Sequence, residues 1–347
     1  MLKRIAAIVF ILGSASIAWL ILAHSIWSRT NEFNDRLKPN VASIWGTPQE
    51  QRQPVATLDQ VPIAAESSRI NVGLALEYRQ KGLLWYSVYV VNFAGLYTFR
   101  NPGDEARTIT FQLNFPSKHA IYDGLAIEAD GHPLPFTSNR DGAFVWAVVA
   151  PGKTAAFRAM YRSQGLESWR YNPGDDVTQT RDFELTMKTN FKEIDFPLST
   201  LAPTEKREGA SGWELIWKYR NLISGFQIGV TMPEKLQPGP LAGDISRFAP
   251  VSLLLFFFVM FILTTLGNID LHPMNYFFLA AAFFAFHLLL AYLVDHISIQ
   301  LAFLICSVVS VSLVVSYLRL VAGPRFAILK AGVAQLIYLV LFSSHFF

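Results

Sequence analysis

The amino-acid sequence predicts an α-helical polytopic membrane protein of about five transmembrane helices. A large all-β, sandwich-like domain is inserted between the first helix and the second. Three observations predict this. The chain of 347 residues is 52% hydrophobic and only 16% charged, with a mean hydropathy of +0.31, which a soluble domain does not reach. Its apolar mass is concentrated in one run near the N-terminus and a dense block after Arg247. Between them, apolar and polar residues alternate with period two.

The first element is a membrane anchor over residues 1–28. Lys3 and Arg4 precede an apolar run from Ile5 to Trp27. A secretory signal has an apolar core of about 7–15 residues and a membrane span needs about 20, so this run is long enough to cross. Ala23-His24-Ser25 has the pattern of a cleavage site, but the length favours an uncleaved anchor. Its basic end belongs in the cytoplasm.

Four further runs, Ala249–Gly267, Pro273–Val294, Ile297–Val321 and Phe326 to about Phe342, predict a four-helix membrane bundle over 248–347. Charge then sets the orientation. Five of the 29 basic residues and two of the 26 acidic ones lie outside residues 28–248, which leaves 24 of each sign between. The excess of +3 therefore sits at the ends of apolar segments, with Arg319 and Arg325 in one loop. A cytoplasmic N-terminus puts that basic loop inside and the domain after the first span outside. The polar domain has no basic bias, which argues against nucleic acid.

Residues 29–68 are rich in Pro, Gln and small residues and have no sustained period, so they read as an extended linker. Alternation dominates 69–247. Ile70, Val72, Leu74, Leu76 and Tyr78 share one face, as do Ile109, Phe111, Leu113 and Phe115, and Phe183, Leu185 and Met187. Turn sequences separate such runs, and about ten strands predict a β-sandwich.

Chemistry-bearing patterns are few. The chain contains no nucleophile elbow, phosphate loop, HExxH or CxxC. Its one cysteine, Cys306, lies in an apolar run and reads as a packing residue. Gly174-Asp175-Asp176 reads as turn chemistry. The expectation is no enzyme, no catalytic residue, no cofactor and no metal. Trp169, in the less clearly patterned Gly165–Tyr171, is the candidate surface contact for a glycan or protein partner. Within the spans His287 is the charge-capable side chain nearest mid-helix, on one face with Tyr276 and Phe283. Ser307, Ser310, Ser312 and Ser316 read as allowing close helix approach. His272 suits a helix cap, Pro273 the first helical position, and Tyr276 an interfacial anchor.

Three stretches resemble the CreD-type inner-membrane family. The first is SIWGTPQEQRQPVATLDQVP, where Thr47 interrupts the family's Gly-Pro-Gln step. The second is KGLLWYSVYVVNFAG, from Lys81 to Gly95. The third and most specific is LHPMNYFFLAAAFFAFHLLLAYLVDHI, with His272, Pro273, Met274, Asn275 and Tyr276 at one end and Asp295, His296 and Ile297 at the other. Residues 103–232 depart from the family, and the chain ends where the family continues into another span. The resemblance implies a role in envelope integrity, colicin tolerance and response to envelope or nutrient signals. The family has no established biochemical activity, so it transfers no catalytic residue. The expected function is a non-enzymatic envelope-integrity or stress-response protein. A glycan- or protein-binding sensor domain and a small-solute permease are the alternatives.

Overall fold

The computed structural model describes residues 2–174 and 178–346. Asp175 and Asp176 of the expected Gly174–Asp176 turn lie outside the described residues. The chain divides into a helical unit, of residues 1–36, 82–84 and 236–347, and a sheet-rich unit, of residues 37–81 and 85–235. In chain order the strands follow the first apolar helix and precede the second.

Five helices among the described residues are long and apolar enough to cross a membrane. They are α1 (Leu2–Trp45), α2 (Pro238–Leu266), α3 (Pro273–Leu293), α4 (Ile299–Ala322) and α5 (Pro324–Ser344). Three of them start on proline, which loses no intrahelical hydrogen bond at a first-turn position. α2 begins ahead of the expected Ala249, because Asp244 and Arg247 interrupt its apolar pattern without interrupting the helix. The unit packs around rings: Phe256 lies 4.8 Å from Phe283, and Phe257 meets Tyr276 edge-on at 5.2 Å.

The expected extended linker over 29–68 is corrected by the structure. Residues 28–45, mostly polar but with Phe33, Leu37, Val41 and Trp45 at helical spacing, continue α1 as far as Trp45, through Pro39. Gly46 then stops the helix with φ 90°, and its N–H returns to the Ala42 carbonyl at 3.0 Å. A side chain at Gly46 would stand 2.5 Å from the Gln164 carbonyl oxygen, so glycine is required on two counts. Three strands follow within the same segment, Gln49–Arg52, Val55–Leu58 and Val61–Ile63.

The sheet unit has three sheets. The largest runs, edge to edge, through Glu205–Glu208, Trp213–Ser224, Thr178–Thr189, Ser67–Lys81, Leu84–Arg100, Thr154–Leu166, Tyr122–Ala129 and His132–Pro133. A five-stranded sheet runs through Val61–Ile63, Val55–Leu58, Arg107–Asn114, Gly142–Val149 and Thr137–Ser138. These two sheets share a buried core, in which Phe111 of the smaller stacks on Phe157 of the larger at 4.9 Å. Most of the alternating residues named from the sequence supply it: Ile70, Val72, Leu74, Ile109, Phe111, Leu113, Phe183, Leu185 and Met187 are buried, Leu76 and Phe115 are half-buried against it, and Tyr78, at the far end of its strand, is exposed.

The third sheet has three strands, with Ser168–Asn172 between Gln49–Arg52, parallel to it, and Ile228–Thr231, antiparallel. It overturns the expectation for Trp169. Trp169 and Tyr171 alternate inward, both with no exposed surface, while Arg170 points outward. Trp169 is a core residue and offers no surface contact.

Candidate functional site

The family-signature residues at the two ends of α3 make defined contacts. His272 Nδ1 accepts the Met274 N–H at 3.3 Å, which is the cap expected of it. Asn275 Oδ1 accepts the Tyr317 hydroxyl at 2.8 Å, tying α3 to α4. Tyr276 is corrected: it is fully buried against Phe257, and its hydroxyl has no hydrogen-bond partner among the described residues. It faces α2, so its ring packs inside the bundle and does not meet the lipid headgroups, where a tyrosine anchors.

At the other end, the Asp295 carboxylate takes Arg29 of α1 at 3.0 Å, and His296 Nδ1 lies 3.0 Å from the Tyr292 carbonyl. Arg4 of α1 meets Asp270, just before α3, at 3.2 Å. α1 and α3 therefore run parallel, with an ion pair at each end.

Between those pairs lie the buried polar groups. His287 has no exposed surface, and its Nδ1 is 3.0 Å from the Phe283 carbonyl. Nδ1 is thus the protonated nitrogen of the neutral ring, and Nε2 is left as an acceptor. Nε2 has no partner among the described residues, and neither has the buried indole N–H of Trp19. The two rings meet edge-to-face, 5.5 Å between centroids. His287 and Tyr276 share the buried face expected of them, yet they touch different helices, Trp19 of α1 and Phe257 of α2.

A second polar link was hidden in the sequence. Gln335 of α5 donates to Ser310 Oγ of α4 at 2.7 Å, and Ser310 donates to the Ala282 carbonyl of α3 at 2.7 Å. Ser310 therefore ties three helices and does more than provide a small contact surface. Gln335 lies between two π-wound stretches of α5, Ala327–Gly332 and Leu336–Leu341.

The sheet unit carries a cleft of about 300 Å³ beside the end of α1, lined by Trp45, His119, Asp123, Arg162, Ser163 and Gln164 among others. A β-bulge shapes it. Pairing shifts between Met160 and Arg162, and Gly124 on the facing strand has φ 62°. The shift sets Asp123 directly opposite Arg162, and neither has an ion-pair partner among the described residues. Two of its lining residues, Ser163 and Gln164, are held by a buried amide, Gln49, whose Nε2 donates to Ser163 Oγ and to the Gln164 carbonyl, both at 2.9 Å. Gln164 in turn donates to the last carbonyl of α1, that of Trp45, at 3.1 Å. Beside the cleft, burial pushes the Tyr122 hydroxyl up to about 12, against the lowering effect of the Ser117 N–H, which donates to its oxygen at 2.9 Å.

The family of inner membrane protein CreD matches residues 228–344. The signature at Leu271–Ile297 lies inside this match, and the resembling stretches before residue 100 lie outside it. No curated protein matches the chain. Among solved structures, the chain is similar to a Legionella pneumophila protein described as nutrient-binding. The identity is 10%, over 61% of this chain and 76% of that one, with a TM-score of 0.40. It is similar also to an M1 zinc metallopeptidase from Deinococcus radiodurans (10% identity, 55% and 44% coverage, TM-score 0.31). An aminopeptidase N family protein from Idiomarina loihiensis gives 13% identity, 54% and 36% coverage and a TM-score of 0.25. The chain spans less than half the length of either peptidase. Residues 228–344, which hold α2 to α5, match the model of the CreD family of inner-membrane proteins.

Proposed function

We propose that this multi-pass inner-membrane protein acts in envelope integrity or stress response, without enzymatic activity of its own, and that its sheet-rich unit lies in the periplasm. The family match over 228–344 carries the reading. The orientation is supported by charge: Lys3, Arg4, Arg319 and Arg325 fall on one side when the five helices are threaded alternately. Protease treatment of intact spheroplasts tests it. Digestion of the sheet unit is expected there, and protection until the membrane is opened would sink the orientation. Deleting the gene is expected to raise detergent sensitivity and alter colicin tolerance; a mutant with an unaltered envelope would remove the functional assignment.

A second reading, recognition of a glycan or a partner protein by the sheet unit, is favoured by the cleft beside Trp45. Asp123 and Arg162 face each other there across two strands without pairing, so both are free to meet a ligand. Pull-down of the full-length protein on cell-wall glycan is expected to weaken with Asp123→Asn and Arg162→Gln. Equal capture by wild type and double variant would exclude the cleft. The permease reading draws no support from His287, whose neighbours are the rings of Trp19 and Phe286 and the Phe283 backbone.

A further inference from the structure

α1 and α2 approach closely at Gly243, where an added side chain would touch Ile26 and lie near the Ala23 carbonyl. Beside this crossing is a cleft of about 290 Å³, lined by Leu20, His24, Trp27, Asp244 and Arg247 as well as the small crossing residues. Its depth is fixed by the helix geometry. Arg4 and Arg29 stand about 37 Å apart along α1 at 1.5 Å per residue, more than the ~30 Å hydrocarbon layer and less than the whole bilayer. His24 and Trp27 lie within about 8 Å of Arg29 along the axis. The cleft is therefore at the level of the lipid headgroups, at the end of α1 remote from Lys3.

Two full charges at this depth lie at the level of the charged lipid headgroups, which carry groups of opposite sign to each. Asp244 and Arg247 are three residues apart on one exposed face of α2, and neither has a hydrogen bond or ion pair among the described residues. They present an anion and a cation side by side. Leu20, 54% exposed, continues the cleft toward the hydrocarbon. Trp27, 56% exposed, is of the type that settles at headgroup level.

We propose that this cleft binds a phospholipid whose headgroup joins a phosphate to a primary amine, as in phosphatidylethanolamine. Arg247 takes the phosphate, for which its planar fork of donors is suited. Asp244 takes the ammonium, and an acyl chain runs along Leu20. The carboxylate gives the site its selectivity: an anionic headgroup, with a phosphate and no amine, meets Arg247 but is repelled by Asp244. A quaternary ammonium carries the charge but no N–H to donate.

The test is native mass spectrometry of the full-length protein in detergent, titrated with phosphatidylethanolamine, phosphatidylglycerol and phosphatidylcholine. The expected preference for phosphatidylethanolamine over each of the others is about tenfold, the effect of one hydrogen bond to a charged group. Asp244→Asn is expected to abolish the preference over phosphatidylglycerol, Asp244→Glu to keep it, and Arg247→Gln to weaken both lipids. Soluble phosphoethanolamine is expected not to compete at matched concentration. Equal binding of the three lipids, a preference that survives Asp244→Asn, or full competition by soluble phosphoethanolamine would each overturn the assignment.

Discussion

The guanidinium of Arg29 meets the carboxylate of Asp295 at 3.0 Å, and its partner in sequence lies 266 residues ahead. The same separation holds for Arg4 and Asp270 at the opposite ends of α1 and α3. Two helices far apart in the chain are thus held in one register.

That register is open to a charge-swap test. Arg29→Asp is expected to lower the thermal stability of the helical unit, and Arg29→Asp with Asp295→Arg to restore it. The pair is partly exposed, so its worth is about 0.2–1 kcal/mol and falls with added salt. A double variant no more stable than the single one would show that the pairing is incidental.

Ser310→Ala removes the acceptor of the Gln335 amide and the donor to the Ala282 carbonyl together. The expected loss is ~1 kcal/mol, the scale of an interhelical hydrogen bond in a membrane. Unfolding in mixed micelles measures it. A companion Ser316→Ala is expected to be neutral, because that hydroxyl bonds only within its own helix, to the Leu313 carbonyl.

Gly46→Ala forces a side chain into the left-handed region and against the Gln164 carbonyl. The left-handed conformation alone costs about 1–2 kcal/mol, and the collision adds to it. Hydrogen exchange of the sheet unit is the readout. Faster exchange in Gln49–Arg52 is expected, and wild-type protection there would contradict the cap.

The sheet unit is expected to lose stability above about pH 10, the ordinary tyrosine range. Burial raises the Tyr89, Tyr97, Tyr161 and Tyr171 hydroxyls, and Tyr122 to about 12. In the unfolded chain these groups ionise near pH 10, while in the folded one they hold their protons. Stability is therefore complete below pH 10 and declines as pH rises through the folded values. Tyrosinate absorbance followed alongside circular dichroism checks this: ionisation should coincide with unfolding for these residues and precede it for exposed ones.

The spans were legible because a bilayer demands a long apolar run, and the sandwich because burying one face demands alternation. What escaped was held by other forces. Gln49 and Gln51 face inward from a strand whose sequence is polar throughout: the Gln49 amide N–H groups donate to Ser163 and the Gln164 carbonyl, and Gln51 bonds to the Asn114 carbonyl and to the Tyr161 hydroxyl at 2.7 Å. Hydropathy does not register a core residue of that kind. The strand of Trp169 is five residues long, too short for its alternation to stand out from the preceding turn. The continuation of α1 past Trp27 carries only a narrow stripe, Phe33, Leu37, Val41 and Trp45, set among polar residues and crossed by Pro39, which reads as a helix breaker. Pairs such as Arg29 with Asp295, far apart in the chain, leave no local signal at all.

The small mixed sheet has a consequence for biosynthesis. Gln49–Arg52 emerges early, but its neighbour is Ser168–Asn172, whose other edge is closed only by Ile228–Thr231, just before α2. A nascent chain halted ahead of Ile228 would present an open strand edge while its anchor is already in the bilayer. The domain seals at the moment the remaining helices reach the insertion machinery, so its maturation and the assembly of the bundle are timed together.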